Sequence, residues 1–536
     1  MNGLYDFLNN SVTKFPDKPA IISTDGSGNY ATTTYSELVE KVDRYAAYCQ
    51  KNMNEGELVP VLMRRGVEMV AAVLGVMVAG RCVAPLNNKL KLPQVMQVIN
   101  RDVVCDVLID SAGVLTLRNA RELSNKHFSC ALHWIDSSKA ESIHNSVSNT
   151  LASFMRIIRD KDLFRDKSFR RTISVGEKNP GACLFTSGST GVPKGVLISQ
   201  NDLMARAETE VEWYELTSED ALLNILPFSF DVGFNQLLST VISGATLVIS
   251  DSWLATDIVN LAAEHKVTGV SGVPAIWRNL IQTNTKFKHP QIRFITVSGG
   301  DLPGSQLRKL PALANKLKIF KTYGQTEAFR ITSLKPEEFF NKMGSVGRAF
   351  GKGRFLVLRE DGALAEANET GEVVHMGLGT MLGYIGELEC QDKLRKNLLP
   401  EFSESYPHIL FTGDIGYIDE DGFLFLKGRK DSMLKVQGNR IYPSEVVAQI
   451  MNVEFIQQAE VVGIKDKNGE TVLVAFVRAD TNMLNERQLR VRLGEKLPSY
   501  MVPKFIKFCQ YFPSTKTGKA DLYQLKIDAK ELAQAT

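Results

Sequence analysis

The chain has 536 residues, 44% of them hydrophobic, which allows roughly two to four domains with ordinary cores. Its formal net charge is only +3, so nothing in its electrostatics favours nucleic acid. The 7 cysteines are odd in number and scattered without a Cys-x-x-Cys pair, which excludes a disulfide frame or a zinc site and suits free thiols in a reducing compartment.

Met1 to Pro16 is polar and lacks the apolar centre of a signal peptide. The most apolar run, Met69 to Gly80, is too short to span a bilayer and stops at Arg81. A cytoplasmic protein without membrane insertion is expected. Ala20 to Thr33 reads as two strands joined at Asp25-Gly26-Ser27-Gly28. Tyr35 to Gln50 has helical periodicity, with Thr34 as N-cap and Glu37 three residues on. Val59 to Leu62, Gly66 to Ala79 and Arg81 to Leu86 then read as strand, helix and strand, an alternation that points to a mostly parallel sheet. Ser137 to Ser174 is rich in Ser and Asn and then in charge, and reads as a solvated stretch or a surface for an acidic partner.

The segment from Leu184 to Val196 is a phosphate cradle. Gly188, Gly191 and Gly195 let backbone N–H groups approach an anion. Thr186, Ser187, Ser189 and Thr190 add hydroxyl donors, and Lys194 adds charge. It is not a Walker A loop, because Pro193 precedes the lysine and Gly195 follows it. After it, Gly195 to Ser199 reads as a strand, and Asn201 is the expected cap of a helix from Asp202 to Tyr214. Val267 to Val273, Phe294 to Ser298 and Ile319 to Thr322 are short strands. Asp231, Gly299-Gly300 and Tyr323 to Glu327 fall at or just beyond strand ends, where open α/β sheets bind ligands. From Phe355 to Leu426 the pattern becomes antiparallel, with Asp-Gly turns at 361–362 and 421–422. A boundary is expected near Arg429 to Asp431, dividing residues 1–430 from an α+β unit of residues 431–536. In that unit Val461 to Val477 reads as a hairpin and Glu486 to Lys496 as a helix capped by Asn485.

The cradle, together with Phe228-Ser229-Phe230-Asp231, Tyr323-Gly324-Gln325-Thr326-Glu327, Phe411-Thr412-Gly413-Asp414, Gly428-Arg429-Lys430-Asp431 and Thr517-Gly518-Lys519, resembles in order and kind the motifs of the ANL superfamily. Its members are acyl- and aryl-CoA synthetases, adenylation domains of nonribosomal peptide synthesis, and luciferases. The resemblance implies an α/β fold. A large N-terminal domain would hold layered parallel sheets and a small antiparallel subdomain, and a mobile C-terminal α+β domain would carry the catalytic lysine.

It also implies a two-step reaction. A carboxylate attacks the α-phosphate of ATP to give an acyl-adenylate and pyrophosphate, and a thiol then takes the acyl group. On that pattern Thr186, Ser187, Gly188, Ser189, Thr190 and Lys194 would hold phosphate. Thr326 would contact the α-phosphate and Glu327 would hold Mg2+. Tyr323 would face adenine beside Gly300, Asp414 would accept the ribose hydroxyls, and Arg429 would add a ribose or phosphate contact. Lys519 would serve the charge that builds in the first step. Asp431 would be the hinge for rotation before the second step, and Gly438 would border a pantetheine tunnel. Each also has a plainer reading: Tyr323 in the core, Asp414 or Gly438 in a turn, Glu327 or Lys519 at the surface.

Asp231 matches the aspartate that pairs with the substrate ammonium in amino-acid-activating members, or else it caps a helix from Gly233 to Val241. The remaining pocket positions by motif are Val232, Asn235, Ser271, Thr296, Ser298, Thr322, Arg330 and Ile331, a polar set. Arg330 either fills the pocket, leaving room for glycine, or pairs with an acidic substrate. Ala328 to Glu337 is also similar to ligases of bacterial surface-polysaccharide systems. With no carrier domain in the chain, the expected acceptor is the phosphopantetheine arm of a separate carrier protein, as in glycine ligation for lipid A modification. Coenzyme A is the rival acceptor, and a non-catalytic scaffold is the remote alternative.

Overall fold

The computed structural model describes residues 3–24, 29–87, 90, 92–99, 101, 104, 106–110, 112–113, 131–136, 155–159, 179–186, 193–287, 291–386, 393–437, 439–466, 470–479, 483–513 and 520–535.

Two helices seed the core. Tyr35–Asn52 begins at a capping box in which the Thr34 hydroxyl accepts from Glu37 N and the Glu37 carboxylate accepts from Thr34 N at 2.8 Å. Past the exposed Glu68, Val67–Val78 is apolar on every side, and Met69 to Met77 are all buried. The two helices pack on each other between two large sheets. They approach closely because Gly75 has no side chain: a Cβ there would lie 2.5 Å from Tyr45 Cβ and 3.0 Å from Val42 O.

One sheet runs Arg348–Ala349, Phe329–Leu334, Lys318–Gln325, Phe294–Val297, Gly269–Gly272, Ala221–Asn224, Thr246–Ile249, Pro19–Thr24, Tyr30–Thr34. Its interior pairings are parallel, and antiparallel hairpins close both edges. The other runs Gly383–Tyr384, Lys194–Ser199, Pro180–Thr186, Cys82–Pro85, Leu58–Leu62, Asp106–Ile109, Ala131–Asp136, Met155–Arg159. Its strands at Leu58–Leu62 and Cys82–Pro85 are buried on both faces, as parallel strands between helices must be. A smaller antiparallel sheet is built on Gly371–Met376, His408–Ile418 and Leu424–Arg429. Gly362 and Gly422 take positive φ in its Asp-Gly turns.

Beyond the short 3₁₀ turn Lys430–Ser432, the chain forms a hairpin at Leu434–Val436 and Asn439–Ile441. A three-stranded sheet of Ile456–Lys465, Thr471–Ala479 and Phe505–Phe508 follows, packed by helices Pro443–Met451 and Leu522–Ala535. The fold is thus mixed α/β, with a large N-terminal part of layered parallel sheets and a small C-terminal part.

Three local expectations change. The helix after the phosphate loop is Gln200–Trp213, two residues early, because Ser199 rather than Asn201 caps it: its Oγ accepts from Asp202 N at 3.0 Å. The helix near the acid pocket is Asp231–Ser243, so Asp231 is its first residue and Phe230 the cap; the capping alternative for Asp231 fails. Tyr323 lies inside the strand Lys318–Gln325 rather than beyond its end. The pairing slips between Tyr323 and Gly324 and turns back at Phe329, whose φ is +51°. Gly324 allows this turn, since a Cβ would sit 1.5 Å from Phe329 O.

Candidate active site

A cleft of about 1440 Å³ opens where the parallel sheet, the antiparallel sheet and the C-terminal unit meet. It lies beyond the carboxyl ends of strands Ala221–Asn224 and Phe294–Val297. Thr186 and Lys194 reach it from the phosphate-loop hairpin, and Gly300, Tyr323, Thr326 and Glu327 from the parallel sheet. Asp414, Arg429 and Asp431 reach it from the antiparallel sheet and the turn that follows. Ser187, Gly188, Ser189, Thr190, Gly438 and Lys519 lie outside the described residues, as does the Asp25–Gly28 turn. Leu522 and Lys526, on the last helix, line the cleft.

At one end, the Tyr323 hydroxyl donates to Asp414 Oδ2 at 2.6 Å. Arg429 Nη1 lies 3.3 Å from Asp414 Oδ1 and donates to Thr412 O at 3.0 Å. Its Nε and Nη2 face Asp431 at 3.3 and 3.4 Å. Burial pushes the Asp414 carboxyl up, against the pull of Tyr323 and Arg429. Tyr323 and Asp414 are 91 positions apart, a contact that no spacing rule discloses.

In the middle, Glu327 Oε1 accepts from Tyr384 Oη at 2.6 Å and lies 3.2 Å from Lys393 Nζ. Lys393 also donates to Gln325 Oε1 at 3.0 Å. Burial would raise the Glu327 carboxyl, but Lys393 and Tyr384 outweigh it and hold it below the usual range. Lys194 Nζ sits 5.0 Å over the Tyr384 ring. Tyr384 and Lys393 carry no motif and were missed by the sequence. Among the described residues no group of three His, Cys, Asp or Glu side chains gathers to hold a metal. The ionised Glu327 carboxylate nevertheless suits Mg2+, which takes one or two carboxylates and leaves its other positions to water and substrate phosphate. Glu327 fits that ion.

At the far end lies the polar pocket. Ser298 Oγ and Thr322 Oγ1 share a hydrogen bond of 2.6 Å. Asp231 Oδ1 accepts from Val232 N at 2.8 Å, and the residue lines the cleft with Val232, Asn235 and Arg330. Ser271, Thr296 and Ile331 are buried behind this surface. Arg330 points inward, 8% exposed. Its guanidinium stacks on Phe350 at 4.9 Å and Tyr214 at 5.3 Å. Its Nη1 is 3.4 Å from Glu210 Oε2, the oxygen to which Asn235 Nδ2 also donates. Glu210 was missed because its helix, Gln200–Trp213, looks solvated in sequence; it is 2% exposed.

Among the described residues the C-terminal unit makes several polar contacts with the core, one of them from Ser444 Oγ to Lys427 O. Gln306 Nε2 donates to Gln457 O at 2.8 Å, Ser305 Oγ to Met451 O at 3.2 Å, and Arg478 Nη2 to Gln282 Oε1 at 3.2 Å. No helix among the described residues is long and apolar enough to cross a membrane.

Residues 8–385 match the AMP-binding enzyme family, and residues 445–519 match the AMP-binding enzyme C-terminal domain. The chain is 25% identical over 529 residues to the D-alanine--D-alanyl carrier protein ligase of Bacillus cytotoxicus, covering 96% of this chain and 97% of that one. It is also 25% identical over 509 residues to bacitracin synthase 3 of Bacillus licheniformis; that is 94% of this chain but only 7% of the synthase. Among solved structures, the anthranilate CoA ligase AuaEII in complex with anthranoyl-AMP superposes with a TM-score of 0.83 at 20% identity, covering 100% of this chain and 98% of the other. At that identity the likeness establishes the fold.

Proposed function

The chain belongs to the AMP-binding enzyme family, and from that premise we propose that it adenylates a small amino acid, glycine favoured, and passes it as a thioester to the phosphopantetheine arm of a separate carrier protein. The observation that carries this reading is that Asp231, Glu327 and Asp414 line one cleft. They suit an ammonium, a phosphate-bound cation and a pair of ribose hydroxyls. The full-length likeness to a carrier protein ligase supports the choice of acceptor.

In this reading Tyr323 and Gly300 bracket adenine, and Asp414 accepts from the ribose with its carboxylate already aimed by Tyr323 and Arg429. Thr186, Ser187, Gly188, Ser189, Thr190 and Lys194 hold the outer phosphates, and Thr326 steadies the α-phosphate. Mg2+ held by Glu327 would neutralise phosphate charge as pyrophosphate forms. Asp231 fixes the amino group and so points the carboxylate at phosphorus. Rate comes from positioning and from charge met as it develops, which is the role of Lys519. For the second step residues 431–536 turn about Asp431, withdraw Lys519 and present Gly438 to the thiol's path. Arg330, inward and fixed, limits the room beyond Cα and supports glycine. Glycine ligation for lipid A modification is the pathway we favour.

The test is pyrophosphate exchange across the amino acids and simple carboxylic acids. Exchange strongest with glycine or another small amino acid supports the reading. Exchange strongest with acetate or a fatty acid overturns it in favour of an acyl-CoA synthetase, and none with any acid points to a scaffold.

A further inference from the structure

We propose that Glu210 sets which side-chain charge the acid pocket accepts, by neutralising Arg330 from behind so that the pocket rejects acidic substrates. The inference rests on the amino-acid reading above and adds to it a specificity-determining residue with no motif position.

Arg330 alone would make this pocket a carboxylate receptor. An arginine offers a planar fork of donors that matches a carboxylate, and one buried in an apolar wall needs a counter-charge. Its wall is apolar: the guanidinium lies between the rings of Phe350 and Tyr214. The structure supplies the counter-charge from the protein side. Glu210 approaches from the helix Gln200–Trp213, and its Oε2 meets Nη1 of Arg330 at 3.4 Å. Asn235, from the helix Asp231–Ser243, donates its amide to the same oxygen and so holds the carboxylate against the guanidinium. Glu210 is 2% exposed and does not line the cleft, whereas Arg330 and Asn235 do. The substrate therefore meets a cation already matched.

The other charges nearby do not undo this. Arg206, buried but also lining the cleft, is spent on the protein side, donating to the Arg330 and Leu378 carbonyls. Asp231 faces the cleft at the start of its helix and adds negative charge there. An acidic side chain entering the pocket would be desolvated, would face Asp231, and would find Arg330 already engaged. Four polar atoms keep spare capacity, Tyr214 Oη and Arg206 Nε being buried with no hydrogen-bond partner. Asn235 Oδ1 is buried with no hydrogen-bond partner, and Arg330 Nη1 makes no well-directed hydrogen bond despite its ion-pair contact. The pocket's unused capacity is thus one amide oxygen, one hydroxyl and two guanidinium N–H groups.

Removing the carboxylate while keeping its shape exposes the mechanism. Glu210→Gln leaves Arg330 unmatched, and an acidic substrate can then supply the missing charge. Purified wild type, Glu210→Gln, Arg330→Gln and the double variant would be assayed by pyrophosphate exchange with glycine, alanine, serine, aspartate, 2,3-diaminopropionate, acetate and malonate. Glu210→Gln should raise kcat/KM for aspartate relative to alanine about tenfold or more, mainly through KM, as charge pairs read partner charge. The double variant, with no charge left to read, should lose that gain. Arg330→Gln, which leaves Glu210 unmatched, should instead gain diaminopropionate. A folded Glu210→Gln protein with the wild-type profile overturns the inference, as does a double variant that keeps the aspartate gain. Should Glu210→Gln not fold, an Arg330→Gln protein without a cationic gain overturns it. The malonate-to-acetate ratio reports the same charge switch without an ammonium, so failure of the amino-acid reading and failure of this inference are separate results.

Discussion

Glu327 and Lys393 form an ion pair of 3.2 Å in the middle of the cleft, and Tyr384 completes the carboxylate's shell with a hydrogen bond of 2.6 Å. Lys393 thereby stands against the carboxylate offered to a divalent cation in the proposed reaction. Lys393 and Tyr384 both hold Oε1, so Mg2+ at this carboxylate would share its charge with the lysine.

Lys393→Met is therefore expected to lower the Mg2+ concentration that half-saturates ATP binding, by roughly threefold or more, since charge-assisted bonds are about twice as strong as neutral ones. Titration calorimetry of ATP at fixed Mg2+ steps measures it without turnover. A higher Mg2+ requirement would mean that Lys393 contacts the nucleotide itself.

The Tyr323–Asp414 bond predicts a pH effect. Tyr323→Phe removes one of the three groups, with Arg429 and Lys393, that oppose burial at Asp414, so its carboxyl should move further up. A depressed pKa lets a carboxylate stay ionised to lower pH, and a raised one loses the charge sooner as pH falls. If Asp414 must be ionised to hold ribose, the acid limb of ATP affinity should shift to higher pH in Tyr323→Phe. At pH 8 the KM for ATP should rise severalfold with little change in kcat. The fold should lose only about 1 kcal/mol, the net worth of one hydrogen bond. Profiles of ATP KM from pH 5 to 9 on both proteins decide it, and coincident acid limbs would exclude the role.

These pairs mark the limit of what the sequence disclosed. Local signals were legible because they act within a few residues: Thr34 and Glu37 form their capping box, and Asn485 accepts from Gln488 N at the head of its helix. The β-α-β alternation before Leu86 gave the parallel sheet for the same reason. Glu210 was not legible. Its neighbours Glu208 and Glu212 mark a solvated face, and the packing of Gln200–Trp213 against Asp231–Ser243, with Arg330 beside it, is what buries Glu210. Lys393 meets Glu327 across 66 positions, for which no spacing rule exists. The Ser199 cap was missed because a hydroxyl ending a strand and one starting a helix read alike.

Glu460 faces the cleft from the strand Ile456–Lys465, and burial pushes its carboxyl from the usual 4.5 to about 7, with Arg278 of the core pulling the other way. A carboxyl raised in the folded state binds its proton more tightly there than in the unfolded chain. Stability is then fullest below pH 4.5 for this group and declines as pH rises to about 7, levelling beyond it. Glu460→Gln should abolish that decline and raise stability at pH 8 by ~1–3 kcal/mol, an upper range because the site is partly open to the cleft. Thermal melts of both proteins from pH 5 to 8 test it. Equal slopes would show that Arg278 already neutralises the charge.

Asp431 lies in the 3₁₀ turn Lys430–Ser432, exposed, with its carboxylate on the Arg429 guanidinium and Arg429 in turn on Asp414. The only covalent path from the antiparallel sheet to the C-terminal unit runs through this turn. If residues 431–536 rotate between the two half-reactions, backbone torsions here must change, and a residue with a fixed φ cannot follow. Proline holds φ near −65°, inside the range of a 3₁₀ turn, so it preserves the present arrangement and opposes departure from it. Asp431→Pro should thus form aminoacyl-adenylate at close to the normal rate and lose thioester formation by a large factor. Asp431→Ala separates the alternatives, because it removes the same carboxylate while leaving φ free. Adenylation is followed by pyrophosphate release and the second step by thioester on the carrier protein. Loss of the second step in the proline variant alone assigns the hinge to this backbone. Equal loss in both variants would assign the effect to the Arg429–Asp431 ion pair, and equal loss of both half-reactions would remove Asp431 from the hinge altogether.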